Sequence, residues 1–483
     1  MELFKMLEGV KYEICQGKDV DINHIVIDSR KIAKGDIFIC IDGLRIDGHN
    51  YIDSAIEAGA AAVLVEKDVR LNANATVVRV ENTRAAMSVM AGNFYNWPSR
   101  SYKLVGFTGT NGKTSSTYFL EVILDEIGHK SGIIGTVSTR VGAEPVETKF
   151  ATSTTPDPVE LQQIFGEMAH AKVDEVVMEV TSHALELKKV EGLEFEVSVF
   201  TNLTQDHLDL HGSMENYKLA KADLFRISNV SVVNIDSEYG EFMAECAKGE
   251  VITYSITNPS DLQALNVEYT SHGVSFDINY GEKWHFDIPI PGRFTVYNAL
   301  GVIGAAIGLK IPMESIVKAL GGLKGVPGRI QSIPNDKGIG VFVDYSHTPD
   351  SLENIITSVR EFTSGKIISI FGCGGDRDRI KRPIMGDISA RLSDFTVITS
   401  DNPRTENPQA IVDEIETGVS PVTDKYIKLT DRREAIYYAV NMAEAGDSVI
   451  IAGKGHESYQ IFPDKTIHFD DAEEAADALA KKE

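Results

Sequence analysis

No two of the four cysteines, Cys15, Cys40, Cys246 and Cys373, stand at a C-x-x-C spacing. Neither a zinc ribbon nor a disulfide framework is therefore indicated. Scattered single thiols suit a reducing compartment, and a cytoplasmic protein is expected. No run of about 18 apolar residues occurs, which argues against a helical membrane span. The stretch "MELFKMLEGVKYEICQGKD" has no long apolar core and does not read as a signal peptide. Positive charge is scarce too: 47 Lys and Arg against 71 Asp and Glu leave a net charge of −24. That balance disfavours nucleic acid as a partner. An acidic chain binds anions only where local Lys, Arg or backbone N–H groups override the global field. Internal repeats and low-complexity segments are absent.

What is present is ordinary for a globular protein, with 43% apolar and 24% charged residues in a chain of 483. That length suggests about three domains. Residues 1–98 read as a small α/β unit: "GDIFICIDG" is a short strand, "YIDSAIEAGAAAVLVEK" a helix followed by a strand, and "ATVVRV" another strand. "NWPSR" (96–100) reads as a linker around Pro98. Residues 99–327 alternate apolar strands ("YKLVGFTG", "SGIIGT", "DEVVMEV", "FEVSVFTN", "VSVVNID") with helices, the pattern of a mainly parallel sheet covered on both faces. A more β-like piece, "ALNVEYTSHGVSFDINY", follows. Residues 328–483 hold a second α/β series, "IGVFVDYS", "KIISIFGCGG", "DFTVITSDNP" and "DSVIIAGKGHE", each strand ending in a Gly-rich or polar loop. Ligands bind at such carboxyl ends.

The strongest local signal is "KLVGFTGTNGKTSSTYFLEVILDEI". A strand runs into Gly109-Thr110-Asn111-Gly112-Lys113-Thr114 and a helix follows. Glycines let backbone N–H groups face a phosphate, and the helix N-terminus adds positive potential. Lys113 can reach the β/γ-phosphates of a nucleotide and Thr114 can hold Mg²⁺. The strict pattern needs Gly at 107, where this chain has Phe107, so the loop is a variant. A P-loop alone names no reaction. "VVMEVTSHAL" delivers Glu179, Thr181, Ser182 and His183 to the same sheet edge, and "VFTNLTQDHLDLHG" delivers Asn202, Asp206 and His207. Glu179 and His207 together are a candidate site for a second metal ion; His207 alone reads as a satisfied loop histidine. In "SMENYKLAKADLF", a helix capped by Ser213, Lys218 and Lys221 share a face. Spacing does not separate a chemical role from two solvated lysines. "STTPD" (153–157) is a hydroxyl-rich turn able to cradle an anion. "TSDNPR" sits at a strand end and is either a polar turn or a ligand loop.

In order along the whole chain, "DSR" (28–30), "GTNGKT" (109–114), "TTPD" (154–157), "MEVTSHAL" (178–185), "FTNLTQDHLD" (200–209), "YKLAK" (217–221), "GRFTVYNAL" (292–300), "GVPGR" (325–329), "VDYSHTPDSLEN" (343–354), "GCGGDRDRIKRPIM" (372–385), "SDNPR" (400–404) and "AGKGHE" (452–457) resemble the Mur ligase family of peptidoglycan precursor synthesis. The resemblance implies three domains: 1–98 for a uridine nucleotide, a central P-loop domain at 99–327 for ATP, and a Rossmann-like domain at 328–483 for an amino acid. It implies an ADP-forming ligase acting through an acyl phosphate, with ATP and Mg²⁺, a UDP-N-acetylmuramoyl dipeptide and meso-diaminopimelate as partners, and a monomer. Ser29 and Arg30 would lie near the uridine diphosphate. Thr154, Thr155, Thr181 and Lys189 would line the muramoyl peptide. Asn298 and Arg329 would hold the adenine and ribose, with Asp344 and His347 nearby. Thr114, Glu179, His207 and an N-carbamylated Lys221 would hold metal. Arg377, Asp401, Asn402, Arg404, Gly453 and Glu457 would form the diaminopimelate site.

Three positions depart from the family pattern: Thr181 where Ser is usual, Lys189 where Arg is common, and Ser153 where Asn is frequent. Lys makes no bidentate fork, so a paralogue with a modified acceptor is one alternative. The others are the L-lysine-adding relative, folylpolyglutamate synthase and a non-catalytic sugar-nucleotide sensor.

Overall fold

The structure is a computed structural model and describes residues 1–43, 46–70, 75–146, 154–204, 211–270 and 272–482. The chain divides into two compact units, Met1–Gln263 with Leu300–Ile316, and Ala264–Ala299 with Val317–Glu483.

Among the described residues the first unit carries two sheets. In the smaller, Ile25–Val26, Ile37–Ile39, Ala62–Val65 and Thr76–Val80 run parallel and Tyr12–Gln16 closes the edge antiparallel. Val63, Leu64, Val77 and Val78 have almost no exposed surface, as strands covered on both faces require. The larger sheet has nine strands. Its centre is Lys103–Thr108, flanked in parallel by Glu175–Glu179 and Phe195–Phe200. Register places Glu179 opposite Phe107 and Phe200 opposite Thr108, so three neighbouring strands end level. That alignment positions the site. An antiparallel hairpin, Thr139–Val141 with Glu144–Pro145, finishes one edge. The Ser213 side chain accepts from Asn216 N and caps Met214–Arg226, as expected.

The second unit holds the antiparallel sheet Leu265–Thr270, Gly273–Tyr280 and Glu282–Ile288. It also holds a six-stranded sheet ordered Gln331–Ser332, Gly340–Asp344, Ser448–Ala452, Ile367–Phe371, Phe395–Ile398, Tyr426–Lys428. All its neighbours are parallel except the first pair. Apolar clusters cover its two faces, one around Ile356, Phe371 and Ile415, the other around Ile370, Ile436 and Ile451.

"NWPSR" is better anchored than a linker. Trp97 adopts a left-handed backbone, donates from Nε1 to Asn93 Oδ1 at 2.8 Å, and lies so close to Gly92 that a Cβ there would come 2.4 Å from its ring. All four cysteines are free, and burial pushes the Cys40 and Cys373 thiols up to about 12. Neither is a nucleophile at neutral pH.

Candidate active site

The phosphate loop is built by close approach. A Cβ on Gly109 would lie 1.9 Å from Thr201 Oγ1 and 3.0 Å from Asn202 O, so only glycine fits. Gly112, at φ 88°, turns the chain into helix Lys113–Glu126, a conformation glycine adopts without strain. The next strand end clasps the loop: Thr110 N donates to Asn202 O at 3.0 Å, Asn111 N to Asn202 Oδ1 at 2.9 Å, and Thr201 Oγ1 to Asn111 O at 2.6 Å. Phe107 is still inside the strand with its ring fully buried. The missing glycine of the strict pattern is thus a core position here, and the turn itself is intact. Lys113 Nζ crosses back over the loop to Gly109 O at 2.8 Å and Thr110 O at 3.0 Å.

Beside the loop, Glu179 is 1% exposed. Its carboxylate accepts from Thr114 Oγ1 at 3.0 Å, Thr136 N at 2.9 Å and Thr136 Oγ1 at 3.1 Å. Gly135 makes room for it, since a Cβ there would stand 2.5 Å from Glu179 Oε1. Buried hydroxyl and carboxylate oxygens at a phosphate loop are the donors a hard dication takes alongside phosphate oxygens and water. The pair fits Mg²⁺. Among the described residues no group of three or more His, Cys, Asp or Glu forms a metal cluster; His207 lies outside them, as do Asp206 and Ser153.

Lys221 is 1% exposed, which overturns the solvated reading. Its Nζ is 3.3 Å from Thr108 Oγ1, on the strand that feeds the loop, and 5.0 Å above the Tyr217 ring. Lys218 is half-buried, paired with the exposed Glu215 at 2.8 Å and lying 4.2 Å over the Phe242 ring. His211 stacks on Tyr217 and meets Ser182 Oγ at 3.0 Å. The hydroxyl turn is also assembled: Thr155 Oγ1 donates to Glu179 O and lies 3.2 Å from Thr181 Oγ1, and Thr154 Oγ1 is 3.1 Å from Thr136 Oγ1. Lys189 Nζ donates to Thr155 O at 3.2 Å and pairs with Asp157 at 2.9 Å. Ser29 and Arg30 stand apart, on the short turn Ser29–Lys31. There the Arg30 guanidinium grips Asp28 and holds its carboxyl at about 2.

In the second unit a separate polar cluster forms at strand ends. Asp401 and Asn402 are buried after Phe395–Ile398. Asn402 Nδ2 donates to Glu457 Oε2 at 2.8 Å, and its Oδ1 accepts from Lys454 Nζ at 3.3 Å and Ile461 N at 3.0 Å. The amide is thus occupied in fixing Glu457 and the fully buried Lys454. A Cβ on Gly453 would lie 2.8 Å from Asp401 Oδ2. Arg404, left-handed at φ 52°, donates from Nη1 to Gly375 O at 2.9 Å. A Cβ on Gly374 would be 2.9 Å from Arg404 Nη1 and 3.6 Å from Arg377 Cγ, so both arginines border that glycine. Asp344 spends both oxygens on its own loops, accepting from Ile330 N at 2.8 Å and from Ser346 N at 2.9 Å. Arg329 lies over the Tyr345 ring at 4.9 Å, and His347 Nδ1 donates to Tyr345 O at 2.8 Å. Asn298 is buried on helix Arg293–Gly308.

Three family profiles match: "Mur ligase family, catalytic domain" at residues 21–95, "Mur ligase middle domain" at 107–306 and "Mur ligase, glutamate ligase domain" at 328–455. The chain is 48% identical over 477 residues to UDP-N-acetylmuramoyl-L-alanyl-D-glutamate–2,6-diaminopimelate ligase 1 of Clostridium acetobutylicum, covering 98% of both proteins. The chain belongs to the Mur ligase family. A Clostridium botulinum protein named as the corresponding ligase is 45% identical, again over 98% of each. A solved structure titled as a 2,6-diaminopimelate ligase of this kind superposes with TM-score 0.70 at 30% identity, over 95% of each chain. Mur ligases are ATP-dependent amide ligases, and the mixed α/β architecture is that of the family. Among the described residues no helix is long and apolar enough to cross a membrane.

Sequence reasoning missed Thr136, Lys454 and Tyr217. Lys454 stands in "AGKGHE" and was legible as a cation at a strand end. Tyr217 opens "YKLAK" but has no role assigned to it there, and Thr136 carries no local signal.

Proposed function

We propose that this Mur ligase joins meso-2,6-diaminopimelate to the D-glutamate γ-carboxylate of UDP-N-acetylmuramoyl-L-alanyl-D-glutamate, with cleavage of ATP to ADP and phosphate. A carboxylate is a poor electrophile, so it first takes the γ-phosphoryl group as an acyl phosphate, and the amine then displaces phosphate. Lys113 and the helix N-terminus behind Gly112 offset the charge between the two approaching anions. Thr114 and Glu179 hold Mg²⁺, with His207 and N-carbamylated Lys221 as further ligands; the ion supplies additional charge neutralisation when bound. Thr155, Thr181 and Lys189 orient the acceptor peptide, Ser29 and Arg30 its uridine diphosphate, and Asn298 and Arg329 the adenosine. On this reading residues 1–98, 99–327 and 328–483 divide the three substrates between them.

One observation carries the amino-acid assignment: Arg404 is pinned by the Gly375 carbonyl at a strand end, with Asp401 and Glu457 nearby in the same cluster. Among the described residues its Nη2 and Nε make no protein hydrogen bond, so an edge of the guanidinium is left for a carboxylate. The test is phosphate release with ATP, Mg²⁺ and the uridine-linked dipeptide while the amino acid is varied. meso-Diaminopimelate should drive it far better than L-lysine, and ¹⁸O placed in the acceptor carboxylate should appear in phosphate. Unlabelled phosphate would refute the acyl-phosphate route.

A further inference from the structure

Arg382 is fully buried on helix Lys381–Leu392, behind the loop that carries Gly374 and Gly375. Its guanidinium forks onto Glu406, Nη1 to Oε2 at 3.0 Å and Nη2 to Oε1 at 2.8 Å, and also reaches Glu414 Oε2 at 2.8 Å and Gly374 O at 3.3 Å. Glu406 passes the constraint on, because its Oε1 accepts from Asp376 N at 2.6 Å. Asp376 answers in the other direction: its carboxylate accepts from Thr405 N at 3.1 Å and Thr405 Oγ1 at 2.7 Å. Gly375 N donates to Asn402 O at 2.9 Å, and a Cβ on Gly375 would lie 1.9 Å from Pro403 O. Two loops, 374–377 and 402–406, are therefore clasped in both directions. Each also contains a non-glycine residue in the left-handed region, Asp376 at φ 55° and Arg404 at φ 52°. That conformation persists only where neighbours over-determine it. These two loops carry Arg377 and Arg404.

We propose that Arg382 and Glu406 are positioning residues that set the preference for the incoming amino acid, by latching the Arg377 loop to the Arg404 loop. The proposal rests on the assignment of this cluster as the amino-acid site. Neither residue touches the amino acid. Each acts by fixing where the Arg404 and Arg377 guanidinium groups stand. Only a substrate with a distal carboxylate gains from that placement, so loosening the latch weakens diaminopimelate binding selectively.

The test uses the full-length enzyme with Arg382→Lys, which keeps charge but loses the fork, Glu406→Gln, and Thr405→Ala at an exposed position. Phosphate release is measured with the uridine-linked dipeptide and either meso-diaminopimelate or L-lysine. The expected result for Arg382→Lys is a KM for diaminopimelate raised roughly tenfold or more, as loss of a charge-assisted bond implies. Its KM for ATP and for the dipeptide should stay within about twofold. The preference over lysine should narrow, with Glu406→Gln and Thr405→Ala intermediate. Should Arg382→Lys fail to fold, Thr405→Ala decides. A uniform loss of kcat with an unaltered diaminopimelate-to-lysine ratio would mean a structural role only and would overturn the latch, as would unchanged KM values in variants that fold. Equal use of both amino acids by the wild type is a different outcome: it defeats the amino-acid assignment itself, and the latch with it.

Discussion

The Thr114 hydroxyl donates to Glu179 Oε1 across 3.0 Å, joining the first turn of the phosphate-loop helix to the end of the neighbouring strand. Thr136 fixes the same carboxylate through two further bonds. Glu179→Gln keeps the shape but removes the charge. Turnover should fall at least about tenfold, since charge-assisted contacts contribute ~1.5–3 kcal/mol each, and the Mg²⁺ concentration for half-maximal rate should rise. A rate profile against Mg²⁺ checks this; an unshifted profile would remove Glu179 from the metal site.

The loop's dependence on glycine separates two kinds of substitution. Gly109→Ala drives a Cβ against Thr201 Oγ1 and the Asn202 backbone. It should cost about 1–3 kcal/mol of stability and most of the nucleotide affinity. Gly166, within helix Pro158–His170, has no atom within 4 Å of a Cβ position. Gly166→Ala should stabilise by roughly 0.5–1 kcal/mol and leave turnover unchanged. Denaturant melts with ADP titrations on both variants test the contrast.

The acid limb of stability should report the Arg382–Glu406 pair. The Arg382 guanidinium, with help from Asp376 N–H, holds the Glu406 carboxyl down at about 2, below its usual 4.5. A depressed carboxyl contributes stability above its unfolded value and loses it as pH falls through the folded one. The stability gap between wild type and Glu406→Gln should therefore be level above about pH 5 and shrink between about 4.5 and 2. Urea midpoints across that range measure it; a gap constant down to pH 2 would mean that Glu406 is not ionically held.

Where the sequence spoke clearly, the cause was local. The phosphate loop is strand, glycine turn and helix in succession, and the Ser213 cap lies beside the helix it starts. Lys221 was ambiguous because spacing gives a helix face but not what covers it, and burial comes from strands distant in sequence. Arg382 stands in the quoted "GCGGDRDRIKRPIM", but its burial is not legible there for a related reason: an arginine is by default a surface residue, and only the fold brings Glu406 and Glu414 to it. What holds the Asn402 amide is equally non-local: Lys454, Glu457 and Ile461 reach it only once the strands are aligned. Strand Glu282–Ile288 is hard to see in "EKWHFDI" because charges occupy its exposed face, and among the described residues its ladder is with Gly273–Tyr280.

Selectivity should pass through Arg404. Diaminopimelate differs from lysine by a distal carboxylate, so a site that prefers it needs a cation held still. Arg404 meets both conditions. Its Nη1 is fixed by Gly375 O, its backbone N donates to Ile461 O at 3.1 Å, and Pro403 precedes it in a loop already closed by the Gly375–Asn402 bond. Little ordering is then left to offset the two N–H contacts that a guanidinium makes with a carboxylate. At roughly 1.5–3 kcal/mol per charge-assisted bond, Arg404→Ala should lower kcat/KM for meso-diaminopimelate at least about tenfold and leave L-lysine almost unaffected. The preference should therefore narrow from the diaminopimelate side. Arg404→Lys should recover part of it, because charge returns without the planar fork. Parallel kcat/KM measurements on the two amino acids decide the matter: an Arg404→Ala enzyme with unchanged preference would show that another group reads the distal carboxylate.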